Sequence, residues 1–410
     1  MSKSQNIKSI YKNHRNEVVV TISIFIIYLT LHISTWLPLR YWKIWGGKSF
    51  LDSWQVLNYA DCFKRIGLEV YRSDFGYCSG YIYGRYLLKF LNIIHLDVKS
   101  TFFIGISFML FMSITLAFIL NEKVFKVKNG NYILGALVIL SPPMMLLVER
   151  GNFDIIMVVL VIVSALSFSR SHEKLAIILI FLSALIKFYT LPILFSYLLL
   201  SKKASTRFLS FFVCIFGAYL IVKDINFINR NGQFPSGVGA MFGLNIWPNY
   251  VGSEIPYRLS SSIGMVISLT IFLACILLSF FLVKLRNFRL DLHFESFSAF
   301  DFIFISSSIV FVSVFVSGMN FDYRLIWFIL SCTLSFRYLI VASHGFILTF
   351  VLLIALWLSY PSGGLAPLGD LAVEWYASFL IVNAFQLVCK IFKKHSVKNW
   401  CFSSFRLSQK

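Results

Sequence analysis

The sequence predicts an all-α protein that crosses a membrane about ten times, and three observations carry that expectation. Charged residues make up 13% of the 410, where a water-soluble chain of this size needs roughly a quarter to cover its surface. Mean hydropathy is +0.78. Apolar runs of about 18 residues or more, the length that spans a hydrocarbon core, recur along the whole chain. The net charge of +19 would suggest nucleic acid in a soluble protein. Here basic cytoplasmic loops account for it, so no nucleic-acid partner is expected. No cysteine spacing fits zinc and no Gly-rich loop fits a bound nucleotide, so neither metal nor cofactor is expected. The abundance of Phe, Ile and Lys points to an AT-rich bacterial genome, and with it to a bacterial cytoplasmic membrane.

The first apolar run, 18–37, is too long for a signal-peptide core and lacks a small-residue cleavage site, so it reads as an anchor that stays. Further spans are expected at 101–120, 131–149, 153–169, 208–222, 260–283, 300–317, 324–336, 338–359 and 372–391. The stretch 175–200 does not fit a simple crossing. Lys187 and Pro192 break its middle, and basic residues flank both ends (Arg170 and Lys174; Lys202, Lys203 and Arg207). It reads as two half-length helices that enter and leave on the cytoplasmic side, with the non-helical backbone between them lining a cavity.

Charge sets the orientation. Lys3, Lys8, Lys12 and Arg15 place the N-terminus in the cytoplasm, and the basic tail after Lys390 places the C-terminus there too. On this topology inside segments hold 22 of the 37 Lys and Arg, whereas 12 of the 18 Asp and Glu lie outside. Carboxylates gathered on the outer face fit chemistry there. The chain then reads as one transmembrane domain, 1–410, with two outer loops large enough to build a site, 38–100 and 223–259.

Within the first loop, Leu51–Ile66 and Gly80–Leu96 suit amphipathic helices lying on the membrane. Between them Gly67–Tyr71 reads as a turn and a short extended piece. Cys62 and Cys78 share this loop, and the oxidising side of the membrane predicts a disulfide that pins the turn near Asp52. Asp52 starts the first of these helices at the bilayer rim. It is the candidate catalytic residue, with a plain N-cap role as the alternative; Asp61 is a second acidic candidate. Lys187 is an ionisable residue inside an apolar run, which is costly and marks function by default.

Short motifs in a fixed order resemble the family 87 glycosyltransferases, GT-C-type enzymes that include bacterial mannosyltransferases using polyprenyl-phosphate-mannose. Asp52, Tyr59-Ala60, Gly67 and Val70-Tyr71 look like that family's first loop. Ser141-Pro-Pro143 leading to Glu149-Arg-Gly-Asn-Phe-Asp154 looks like its Pro-containing helix and Gly-Asn turn. Ala184-Leu-Ile-Lys187 through Pro192 resembles its Ala-Leu-Lys-x-x-Pro stretch, and Asn320-Phe-Asp-Tyr-Arg324 falls where its later outer motif does. The Cys62/Cys78 pair, Tyr81-Ile-Tyr-Gly-Arg85 and the longer gap after Lys187 depart from the mannosyltransferase pattern and mark a divergent member.

The resemblance implies an inverting transfer of a sugar from a polyprenyl-phosphate donor to a lipid- or polysaccharide-linked acceptor at the outer face. Asp52 would be the base, which must come within roughly 3 Å of the attacking hydroxyl. Arg150, Arg324 and Lys187 would hold the donor phosphate, and Asn152, Asp154, Asp322 and Asp61 would line the substrate site. The residues alone leave other partners open: Asp154 for Arg150, Asp322 for Arg324, and a buried acid for Lys187. Two other functions compete. A transporter or flippase predicts internal repeats and paired broken helices; a surface polysaccharide polymerase predicts arginine chemistry in later loops.

Overall fold

The computed structural model describes residues 18–32, 50–71, 78, 84–119, 131–201, 203–231, 241–243, 247, 257–285, 288–291, 298–316, 320–339, 344–358 and 365–394. Both basic tails and most of the stretch 223–259 fall outside them. The described chain is a helical bundle with one small sheet.

Helix α1 is Val18–His32. Then come α2 (Leu51–Ile66), α3 (Arg85–Ile93), α4 (Thr101–Ile119), α5 (Asn131–Ile139), α6 (Pro142–Glu149), α7 (Asp154–Ser169), α8 (Glu173–Ile186), α9 (Ile193–Leu200) and α10 (Ala204–Asn231). After strand β1 (Met241–Phe242) follow α11 (Tyr257–Leu285), α12 (Ala299–Val316), strand β2 (Asn320–Phe321), α13 (Ile326–Ser335), α14 (Gly345–Leu358) and α15 (Ala366–Lys394). Helix α7 sits at the centre, packed against α4, α8 and α12.

The protein is a multi-pass membrane protein, but ten helices of spanning length are not found among the described residues. Four helices are long and apolar enough alone: Val98–Ile119, Ala204–Asp224, Ile263–Lys284 and Ala299–Val316; the pair α6 and α7, bent by 103°, makes at most five. The expected single span 131–149 is interrupted at Ser141, because Pro142 and Pro143 cannot continue a helix and instead start a new one at its first positions. Ser141 closes α5 by donating its Oγ to Val138 O at 2.7 Å. Helices α13 and α14 have 10 and 14 residues, so at 1.5 Å per residue they fall short of a roughly 30 Å core.

Burial separates the long helices by role. The spans in α10 and α11 are 17% and 22% buried, so they face lipid, whereas those in α4 and α12 are 56% and 50% buried and line the interior. Helix α2 buries Asp52, Ser53, Val56, Leu57 and Ala60 along one stripe and rests on α3 and α4. Residues Gly67–Tyr71 form a 3-10 helix, not an extended piece. Gly67, at φ 58°, ends α2, and Val70 is drawn fully into the core; that burial overrides its β-branched preference.

The broken segment is a hairpin. Helix α8 stops at Lys187, Phe188–Thr190 form a 3-10 turn, and α9 returns after Pro192. Ser201 Oγ donates to Glu173 Oε2 at 2.8 Å, and Lys203 Nζ lies 3.9 Å from Glu173 Oε1, so both arms leave through the same end. With the free cysteines replaced, Glu173→Cys and Lys203→Cys proteins are expected to react with a membrane-impermeant maleimide from the same face of sealed vesicles. Labelling from opposite faces would overturn the hairpin.

Candidate functional site

The site grows from the turn between α6 and α7. Arg150 N–H bonds Leu146 O, Gly151 N–H bonds Val148 O at 3.1 Å and Asn152 N–H bonds Leu147 O at 3.2 Å. This is a Schellman ending, which requires a left-handed residue one past the cap. Gly151 supplies it, at φ 56°. A Cβ there would also meet Ser53 Oγ at 2.8 Å. Asn152 then turns the chain into α7 by accepting from Asp154 N–H at 2.9 Å through its Oδ1.

Helix α2 docks its start onto this turn. The first N–H groups of a helix have no partners within it, and neither do its last carbonyls. Here the two sets meet: Phe50 N–H bonds Glu149 O and Asp52 N–H bonds Arg150 O, both at 2.9 Å, and Ser53 Oγ donates to Gly151 O. The positive end of α2 thus faces the negative end of α6. The Phe50 ring locks the joint. It stacks on His32 with centroids 4.5 Å apart and lies so close to Gly105 that a Cβ there would fall 2.2 Å from the ring.

Asp52 is therefore placed by backbone and held by side chains. Its Oδ1 accepts from Arg150 Nε at 2.7 Å and from Arg150 Nη2. Its Oδ2 accepts from Asn152 Nδ2. Asn152 Oδ1 also accepts from Lys187 Nζ at 3.0 Å, and Lys187 Nζ reaches Asp154 Oδ1 at 2.5 Å. Tyr189 OH donates to the same Asp154 oxygen. Arg324 Nε lies 3.9 Å from Asp154 Oδ2, and its guanidinium sits 5.3 Å from the Tyr189 ring centroid. A continuous polar chain thus runs from Arg150 and Asp52 through Asn152 to Lys187, Asp154, Tyr189 and Arg324.

Several expected partners are different. Arg150 pairs with Asp52 rather than with Asp154 across the turn, because the docking of α2 brings that carboxylate closer. Lys187, 3% exposed, is committed to Asp154, which is fully buried. Asp61 is nine residues beyond Asp52 on a continuous helix, two and a half turns, so it projects from the opposite face of α2. The disulfide between Cys62 and Cys78 forms with a Cα–Cα distance of 5.5 Å and brackets the Gly67–Tyr71 turn, but Cys62 lies about 15 Å along α2 from Asp52 at 1.5 Å per residue, so that turn is not near Asp52. The Asp322 side chain lies outside the described residues. Its backbone opens the 3-10 turn that carries Arg324.

Other polar contacts surround this chain. Arg85, at the start of α3, pairs with buried Asp224 of α10 at 2.9 Å. Trp247 Nε1 donates to buried Glu374 Oε2 at 2.7 Å, tying the stretch between α10 and α11 to α15. Strand β1 pairs antiparallel with β2, Met241 opposite Phe321, and sets the same stretch against the Arg324 segment. Carboxylates at 370 and 374, within an otherwise apolar helix, are a signal of the kind that singled out Lys187.

A model of glycosyltransferase family 87 matches residues 86–275, just under half of the chain. The chain is a family 87-like glycosyltransferase. The matched stretch contains Arg150, Asn152, Asp154 and Lys187; Asp52 and Arg324 lie on either side of it and reach the same site through the fold. No curated protein and no solved structure matches the chain.

Lys187 and Asp154 make the site's stability measurable in this glycosyltransferase. Removing one partner of a buried pair leaves an uncompensated charge, typically costing about 3–5 kcal/mol. Lys187→Met is expected to lower the temperature at which the purified protein loses its monodisperse peak, and Lys187→Met with Asp154→Asn to recover most of that loss. An unchanged melting profile for the single variant would count against the pair.

Proposed function

We propose that the protein transfers a sugar from a polyprenyl-phosphate donor to a hydroxyl of a lipid- or polysaccharide-linked acceptor, with inversion at the anomeric carbon, on the outer face of a bacterial cytoplasmic membrane and within a GT-C-type architecture. One observation carries this reading. Asp52, Arg150 and Asn152 are brought together at a helix junction inside the bundle, within a chain that is family 87-like.

In this mechanism Asp52 is the base. Its Oδ2 accepts one hydrogen bond, from Asn152, and a carboxylate oxygen has a second lone-pair site for the acceptor hydroxyl. The hydroxyl oxygen attacks the anomeric carbon while its proton passes to Asp52. The bond from that carbon to the phosphate oxygen breaks, and the lipid phosphate leaves with its electron pair. No general acid is required, because phosphate is already a good leaving group.

Charge grows on the departing phosphate, so fixed cations near it lower the barrier. Arg150 and Arg324, with side chains 17% and 12% exposed, are its ligands in this reading, since guanidinium binds phosphate through paired N–H groups. Lys187 has a different role from a direct phosphate ligand. Recruiting it would break a buried ion pair, so it acts by positioning Asn152 and Asp154. Those two line the substrate side; Asp322, the further substrate-side candidate, has its side chain outside the described residues, and Asp61 faces away.

The test is transfer from radiolabelled polyprenyl-phosphate sugars into membrane glycolipid and polysaccharide. Wild type is expected to transfer, and Asp52→Asn to lose roughly 100-fold or more of the rate, the range of a positioned general base. Equal rates would remove Asp52 from the chemistry and leave the class intact. No transfer by wild type would turn the reading toward transport.

A further inference from the structure

The hairpin tip carries a tyrosine whose place in the site goes beyond the motif residues. Tyr189 uses both parts of its side chain. The hydroxyl donates to Asp154 Oδ1 at 2.5 Å, and the ring lies under the Arg324 guanidinium at 5.3 Å. Asp154 closes the figure, with its Oδ2 3.9 Å from Arg324 Nε. The three side chains make a triangle with three kinds of contact along its edges: a hydrogen bond, a cation–π contact and an ion pair.

Each corner comes from a different part of the chain. Asp154 opens α7, Tyr189 lies in the 3-10 break of the hairpin, and Arg324 sits in the turn before α13. A guanidinium on a long, flexible side chain gains precision when its plane is laid on an aromatic face. The hydroxyl ties the ring to the buried cluster, because it is bound to a carboxylate with no solvent exposure. Phenylalanine would supply the ring without the anchor, and histidine would supply neither the same reach nor the same face.

We propose that Tyr189 is a positioning residue for Arg324, orienting the guanidinium toward the phosphate at the head of an isoprenoid lipid, a diester while the sugar is attached and a monoester once it has left. This rests on the donor reading above. It predicts that the ring governs phosphate affinity, whereas the hydroxyl governs mainly the stability of the buried cluster.

The experiment uses the full chain in nanodiscs and a short-chain polyprenyl monophosphate without sugar as the probe. Affinity, melting temperature, and KM and kcat for transfer are measured for Tyr189→Phe and Tyr189→Leu. Tyr189→Leu is expected to bind the probe about tenfold more weakly, within the range of a desolvated cation–π contact, and to raise donor KM more than it lowers kcat. Tyr189→Phe is expected to stay within about threefold of wild type in affinity, although it melts lower than wild type through loss of the hydroxyl bond. Wild-type affinity in Tyr189→Leu, or equal weakening in both variants, would overturn the role of the ring while leaving the donor reading in place. Failure of the wild type to bind the probe would overturn both together.

Discussion

Everything at this site is arranged around one ion pair, Lys187 with Asp154, buried beyond the reach of water. Taking two charges out of water costs several kcal/mol per ion, and the attraction between them offsets that only when neighbouring groups satisfy their remaining donors and acceptors. The neighbours here are Asn152 and Tyr189, on the ammonium and the carboxylate respectively. Each is therefore held by a demand for satisfaction and not simply by packing. Asn152 passes that constraint on to Asp52 through the other end of its amide, so a carboxylate from a distant segment inherits the rigidity of the buried pair.

The backbone geometry serves the same end. Helix α6 stops at Glu149 and α7 leaves at a sharp angle, so the turn between them exposes carbonyls just where α2 needs acceptors. The docking is possible because Gly151 and Gly105 leave room for Ser53 and for the Phe50 ring. Small residues buy close approach, and close approach places Asp52. The catalytic reading thus depends on local chain chemistry at two glycines as much as on the carboxylate itself.

Part of this was legible in the sequence. The helix Leu51–Ile66 followed from its apolar spacing, and the hairpin followed from Lys187, Pro192 and the basic clusters on both sides. The sulfur pair followed from its location in the first loop. What was not legible is pairing across long separations. Arg150 had an acid four residues away and took one 98 residues away, because the docking of α2 decides distance and the sequence does not state it. Asp61 was only the second acidic candidate, and its phase on the helix Leu51–Ile66 sets it on the face opposite Asp52. Val70 had a strand former's shape, and core burial overruled it. Tyr189 carried no periodic or charge signal; its importance lies wholly in what the fold sets beside it.

The hairpin has one further consequence. Its tip, with Lys187 and Tyr189, is supported from below by two arms that are stitched together near the opposite end, where Ser164 Oγ bonds both Ala176 O at 2.8 Å and the Tyr197 hydroxyl at 2.6 Å. Such a segment is held at both its root and its tip. A slip of one arm past the other at its root would strain the contacts that the ammonium and the phenol make with Asp154 at the tip. Hydroxyls far from the polar chain thereby help to keep the groups at its centre in register.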